Sequence, residues 1–351
     1  MTLSECCMQI QPLDEMAMQA AQQHWNQLAK PLHSLGRLED MIVQLAGIHR
    51  SAQLEQRKKV VLIFCADNGI VEEGVTQTGQ EVTATVAENF TKGIATVNSL
   101  AQVCQADVMP IDIGIARDMT CKGIANRKIA YGTKNFAKEP AMTRTEAEQA
   151  ILTGIQLVKE KQEHGYNLII TGEMGIGNTT TSSAVFSVLS QIAPELVTGK
   201  GAGLSKAGIQ RKIQVIQAAI QKYQPNPADV IDVLSKVGGL DICGMMGAFL
   251  GGAIYRVPVL IDGFISAVAA NCAVRYAPAC KPFLYASHCS AEPAGKLALE
   301  ALQLHAYLEC GMCLGEGTGA VIGAKLFDFA LAAYTEAASF QQAQVTPYQP
   351  L

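Results

Sequence analysis

Glu316 stands between two glycines in LGEGTGA (residues 314–320), with the apolar Met312 to Leu314 just before it. Glycines at 315 and 317 allow a ligand to approach the backbone closely. An apolar flank raises a glutamate's pKa toward the range of a general base; the plain alternative is an exposed glutamate in a turn that ends a helix. Other acids stand just after apolar runs: Asp67 in an Asp-Asn-Gly turn, Asp112, Glu173, and Asp262 before Gly263, with Ser287-His288 in a like position. One such acid is as readily a helix N-cap as a functional group. Several that converge suit a metal or a ligand with positive character, since crowded carboxylates repel and raise one another's pKa. The six histidines show neither HxH nor HExxH spacing, so no metal site is expected.

Anion chemistry has its own signature. TGEMGIGNTTTSSA (171–184) passes from an apolar run through three glycines into a helical pattern opened by Asn178 and a Thr/Ser cluster. Such a turn presents backbone N–H groups and a positive helix end to an anion; a plain glycine-rich turn with a Thr/Ser cap is the other reading. It matches neither GxGxxG nor GxxxxGK[ST], so it implies neither dinucleotide nor NTP binding. GKGAGLS (199–205) is a second glycine stretch, leading into a helix that carries Arg211 and Lys212. Together they favour one phosphate group held largely by backbone.

These residues need a scaffold, and the apolar runs supply one. VVLIFC (60–65), VMPIDIG (108–114), NLIITG (167–172), VPVLID (257–262) and PFLYAS (282–287) read as strands covered on both faces. Helical patterns span 82–104, 143–163, 179–190, 206–223, 228–236, 263–276 and 294–308. This alternation predicts an α/β fold with a doubly wound parallel sheet, in which ligands bind beyond the carboxyl ends of strands. Two amphipathic helices, 14–29 and 37–48, precede the first strand as a helical annex. A last helix, 318–338, is expected to return to them, and the polar chain after Ser339 reads as a loose tail. The expected division is residues 1–55, 56–317 and 318–351, the first and last contributing to one small helical domain.

Of the 351 residues 49% are hydrophobic and 17% charged, with 31 glycines and a net charge of −4; this is globular composition. No basic run or aromatic-basic stripe suggests nucleic acid. No signal peptide or spanning segment is legible, so the reading is cytoplasmic, with no membrane partner. Eleven irregularly spaced cysteines look like small core residues of a reducing compartment, and Cys310-Gly-Met-Cys313 lacks the partners that would complete a zinc site.

Seven motifs in order give the chain a family likeness: KPLHSLGRLE (30–39), CADNGIVEEGV (65–75), GEMGIGNTT (172–180), QPNPADVIDVLSKVGGLDICGM (224–245), PVLIDGFIS (258–266), SHCSAEPAG (287–295) and LGEGTGA (314–320). In these it resembles the nicotinate-nucleotide:dimethylbenzimidazole phosphoribosyltransferases. The resemblance implies a Rossmann-like sheet, a small helical domain from both chain ends and a homodimer. It also implies transfer of the phosphoribosyl group of nicotinate mononucleotide to 5,6-dimethylbenzimidazole, with inversion at C1′ and without a cofactor, in cobalamin nucleotide-loop assembly. By the same resemblance Glu316 is the general base. Gly175, Gly177, Asn178 and Thr179 cradle the phosphate, helped by Gly201, Ala202 and Lys212. Glu173, Asp262, Gly263 and Ser290 line the ribose and nicotinate end, and Thr78, Val86 and Leu314 border the azole. Asn68 stands where many relatives have histidine, so no histidine base is expected there. VTQTGQEVTATV (75–86) also departs from relatives, which leaves the preferred base open among benzimidazoles, purines and phenols. The competing reading is a phosphate- or nucleotide-binding module without catalysis.

Overall fold

An apolar run becomes a strand rather than a helix when β-branched residues dominate it and other elements cover both its faces. The computed structural model describes residues 2–348. Six strands form: β1 (Lys59–Ala66), β2 (Ala106–Gly114), β3 (Ala125–Asn126), β4 (Leu168–Met174), β5 (Val259–Ile261) and β6 (Leu284–Ala286). All pairs are parallel, in the order β3-β2-β1-β4-β5-β6. The chain builds outward from β1 to β3, then returns to start β4 on the other side of β1. That reversal opens a crevice above β1 and β4, where doubly wound sheets hold ligands. Register levels the strand ends: Cys65 pairs with Asp112, and Phe64 with Glu173.

The helices are α1 (Leu3–Cys7), α2 (Glu15–Gln27), α3 (Arg37–His49), α4 (Glu81–Lys92), α5 (Thr96–Cys104), α6 (Arg144–Glu163), α7 (Asn178–Ser190), α8 (Pro194–Val197), α9 (Lys206–Tyr223), α10 (Val230–Val237), α11 (Leu240–Tyr255), α12 (Phe264–Tyr276), α13 (Gly295–Ala301), α14 (Thr318–Glu336) and α15 (Phe340–Ala343). On one face α11 lies along the sheet, with α6 and α12 packed against it; on the other α14 follows β4 and β5, with α5 and α3 beside it. Local chemistry starts several of them. Asp14 caps α2 by accepting the Ala17 N–H at 2.9 Å, Thr143 and Glu146 form a capping box on α6, and Ser205 caps α9.

Several expectations need correction. The pattern over 82–104 is two helices, because Gly93 closes α4 in the left-handed region. The pattern over 294–308 yields only the short α13. The tail after Ser339 is not wholly loose: α15 forms, Phe340 is buried, and its ring meets that of Tyr348 edge-on at 5.7 Å; residues 349–351 lie outside the described residues. Cys310 and Cys313 are exposed rather than core residues, although six other cysteines are buried.

Helix α11 gave no amphipathic signal because it is buried nearly all round. Its glycines let it press onto α6: a Cβ on Gly154 would come within 2.1 Å of the Gly244 carbonyl oxygen, and one on Gly247 within 2.0 Å of that of Ile151. The chain ends do meet. Tyr334 packs on Trp25 and His24, and the Ala29 N–H donates to the Ala338 carbonyl at 2.9 Å. Among the described residues no helix is long and apolar enough to cross a membrane.

Candidate active site

A cavity of about 320 Å³ opens at the carboxyl ends of β4 and β5. Its walls are the β4–α7 turn, the 200–204 loop, the β5–α12 turn, residues 75–78 with Val86 of α4, and the 313–316 loop; His288, Ser290 and Glu292 complete it. Of the residues singled out from the sequence, Thr78, Val86, Glu173, Gly175, Gly177, Asn178, Thr179, Gly201, Ala202, Asp262, Gly263, Ser290, Leu314 and Glu316 all border this one space. Lys212 does not. It is buried behind the wall, where Nζ donates to Thr179 Oγ1 at 2.7 Å and to the Gly199 carbonyl at 3.3 Å. Burial pulls its pKa down to about 8, with Glu292 acting in the opposite sense.

Two helices point uncapped N-termini into the cavity. Gly177, left-handed at φ 94°, starts α7 without a side-chain cap, and Gly263 starts α12 likewise. Their dipoles favour anions, although at α7 the Asn178 and Thr180 N–H groups already donate to the Gly175 and Gly177 carbonyls. The Asn178 side chain does not cap α7. Its Nδ2 donates to Glu173 Oε2 and, at 3.0 Å, to Asp241 Oδ2.

Asp262 follows neither reading of a strand-end acid simply. Its carboxylate leaves the helix that follows it and caps α14, accepting from Gly317 N–H at 3.1 Å and Ala320 N–H at 2.8 Å. It thereby anchors the loop carrying Glu316. His288 Nε2 stands 3.5 Å from Asp262 Oδ1.

Residues 315–317 all take positive φ: 90°, 63° and 87°. For Glu316 this left-handed conformation costs roughly 1 to 2 kcal/mol. Other non-glycine residues there, such as Arg50, Gln105, Gln191, Gln224 and Arg256, end helices; Glu316 precedes one. A Cβ at position 315 would come within 2.5 Å of Glu173 Oε1, so only glycine lets this loop close over that carboxyl. The half-buried Glu316 accepts weakly from the Val97 N–H at the start of α5, at 3.4 Å. Burial raises its pKa, the Val97 bond opposes this, and nearby Asp262 adds to it.

Glu173 is buried, and its pKa is pushed up to about 8, first by burial and then by Asp241. Asp241 is raised to about 6, again first by burial. The sequence pattern assigns Asp241 no role, since the N-terminus of α11 leaves no periodic signal to mark it. Asp67 and Asp112 turn elsewhere. Asp67 accepts the Ala116 N–H at 2.8 Å, while Asp112 accepts that of Ile115 at 2.9 Å and pairs with Lys128 at 2.9 Å. Asn68 is buried below the cavity, donating to the Ile176 carbonyl at 3.2 Å, with Oδ1 unpartnered. Among the described residues no group of three His, Cys, Asp or Glu is placed to hold a metal ion.

Residues 10–345 match a family described as phosphoribosyltransferase. The chain is 49% identical over 351 residues to the nicotinate-nucleotide–dimethylbenzimidazole phosphoribosyltransferase of Ruminiclostridium cellulolyticum, covering 100% of both chains. It is 49% identical over 333 residues to the protein of that name from Acetivibrio thermocellus, covering 95% of each. The crystal structure of CobT from Thermus thermophilus superposes with a TM-score of 0.89 at 36% identity, over 95% of this chain and 100% of that one.

Proposed function

Since the chain belongs to the nicotinate-nucleotide:dimethylbenzimidazole phosphoribosyltransferase family, we propose that it transfers the 5-phosphoribosyl group of nicotinate mononucleotide to 5,6-dimethylbenzimidazole or a related base. Nicotinate leaves, and the product is α-ribazole 5′-phosphate, used in assembling the nucleotide loop of cobalamin. The observation that carries this reading is the arrangement of charge in one cavity: two uncapped helix N-termini with a set of carboxyls beside them. Nicotinate mononucleotide has the complementary pattern, with a phosphate at one end, a carboxylate at the other, and a cationic ring nitrogen bonded to C1′.

In this reading the phosphate lies at α7, against Gly175, Gly177, Asn178 and Thr179, with Gly201 and Ala202 closing over it. Lys212 acts from behind by holding Thr179. The nicotinate carboxylate lies toward Gly263 and Ser290. As the C1′–N bond breaks, C1′ gains positive charge that Glu173 and Asp262 stabilise. The β nucleotide gives an α product, so the incoming nitrogen attacks the face opposite the leaving ring. One azole nitrogen forms the new bond while the other loses its proton, and Glu316 takes it. The raised pKa of Glu316 suits that role. Thr78, Val86 and Leu314 flank the azole.

A homodimer, a cytoplasmic location and a smaller helical unit built from both chain ends belong to the same reading. Ile322, Leu326 and Phe329 form an apolar stripe along α14, with Ile322 and Phe329 exposed, which suits a second copy. All eleven cysteines are free, as a reducing compartment would leave them.

Incubation with nicotinate mononucleotide and a panel of benzimidazoles, purines and phenols tests the reaction. Nicotinate and an α-configured product are expected, identified by mass and by the anomeric proton. Binding of the nucleotide without turnover on any acceptor would instead favour a binding module.

A further inference from the structure

Behind the cavity, side chains from three elements meet on one amide. Glu173 lies near the end of β4, Asn178 opens α7, and Asp241 lies in the first turn of α11. The Asn178 amide nitrogen has two hydrogens; one goes to Glu173 Oε2 and the other to Asp241 Oδ2 at 3.0 Å. Asp241 Oδ1 accepts the Ile242 N–H at 2.9 Å. Two glycines leave room for this carboxylate: a Cβ on Gly239 would come within 2.5 Å of Oδ1, and one on Gly175 would lie 3.3 Å from Oδ2. The Asn178 and Ile242 bonds hold Asp241 on the same amide as Glu173.

Neither acid has a cation within ion-pair distance among the described residues. Asp262 and Glu316 act on Glu173 from the cavity side, Asp67 on Asp241 from the end of β1, and the Cys65 thiol lies within reach of both, with Asp112 beyond it. His288 and Lys128 face Asp262 and Asp112 instead. Two ionised carboxylates on one buried amide, with no counter-charge, repel strongly.

We propose that Asp241 is a positioning residue which, by its charge across the shared Asn178 amide, makes Glu173 keep a proton in the free enzyme and give it up to solvent when the cationic nicotinate ring enters. This rests on the phosphoribosyl-transfer reading. The O–H bond of Glu173 breaks, the proton passes to buffer, and the pair gains the negative charge that faces the ring and then C1′. When nicotinate departs with a neutral ring nitrogen, a proton returns. The carboxylate thus exists only while there is positive charge for it to stabilise. The raised pKa values of both acids agree with this order of events.

Calorimetry of nicotinate mononucleotide binding, in buffers of different ionisation enthalpy, counts the protons. Ribose 5-phosphate serves as the control that has the phosphate but lacks the cation. At pH 7 the nucleotide should release about one proton more than the control, and its Kd should fall about tenfold per pH unit up to about pH 8. Asp241→Asn removes the repelling charge, so the excess proton should shrink to less than about a third and the Kd trend should flatten. If wild-type protein binds the nucleotide with no excess proton, the proposal falls while the proposed reaction stands; that result decides even if the variant fails to fold. A folded Asp241→Asn protein that loses affinity equally at every pH, with proton release unchanged, would reduce Asp241 to a structural role. Failure of wild-type protein to bind the nucleotide would overturn both readings.

Discussion

Two groups of acids gather at the carboxyl edge of this sheet, and their charges are treated in different ways. Beyond β1 and β2, Asp112 is paired with Lys128, and Asp67 sets one oxygen on the Ala116 N–H while its Oδ1 has no partner. Beyond β4 and β5, Glu173, Asp241 and Glu316 have no cation at ion-pair distance among the described residues, while the buried Lys212 has no acid at that distance. Local neutralisation by Lys128 marks Asp112 as structural. In the second group the charges are held apart in the protein, as suits a ligand positive near C1′ and negative at its phosphate. What separates Asp112 from Glu173 and Glu316 is that the fold supplies a counter-charge to the first and leaves it to the substrate for the others.

Substitutions on the two sides should therefore fail differently. The largest effect is expected in the first group. Lys128→Met leaves Asp112 buried without its partner and should cost about 3 kcal/mol of stability, seen in chemical denaturation, with kcat changed less than about threefold. A large fall in kcat at normal stability would erase the distinction. In the second group Glu316→Gln keeps shape and removes basicity. Turnover should fall at least about a hundredfold, equivalent to about 2.7 kcal/mol, while nicotinate mononucleotide still binds and the melting curve stays close to wild type. Near-normal turnover would remove Glu316 as the base.

Glu173 gives the contrast a pH dependence. Its folded pKa, about 8, is raised above the unfolded value, so between those values the folded protein holds a proton that the unfolded chain has lost. Stability is present below that window and falls as pH rises through it. From pH 6 to pH 8 the fall should be about 2 kcal/mol. Glu173→Gln should flatten it, measured by denaturation at each pH; an equal slope in both proteins would place the titrating group elsewhere.

Sequence revealed these features unevenly, for physical reasons. The longer strands and the parallel sheet were legible because a run covered on both faces is apolar throughout, whereas β3, with two residues, leaves no pattern. Helix α11 failed for the reason that strands succeeded: burial on every side erases the 3.6-residue period. Asp241 went unassigned with it. Asp262 looked like a cap for the helix that follows it, and sequence has no means of showing that its carboxylate reaches across to the start of α14. Glu316 was found through its glycines, of which Gly315 records the close approach to Glu173 and Gly317 that to Val61 and the Thr171 carbonyl. The motif resemblance, not spacing, supplied its role.

Lys212 provides the finest test, because it is the mirror image of Lys128: buried, cationic, and bonded to a hydroxyl and a carbonyl rather than to an acid. If its task is to set Thr179 and lend charge to a phosphate, Lys212→Met, which keeps the volume, should raise the Kd of nicotinate mononucleotide about tenfold, a change of about 1.4 kcal/mol. The Kd of free dimethylbenzimidazole should change less than about twofold. The pKa of about 8 sharpens this further, since burial favours the neutral amine while a bound phosphate favours the ammonium. Wild-type affinity for ribose 5-phosphate should therefore weaken as pH rises above about 8, and the variant should lack that limb. Equal losses for the nucleotide and the azole would make Lys212 only a prop for the fold, and would leave the α7 N-terminus to hold the phosphate through its backbone alone.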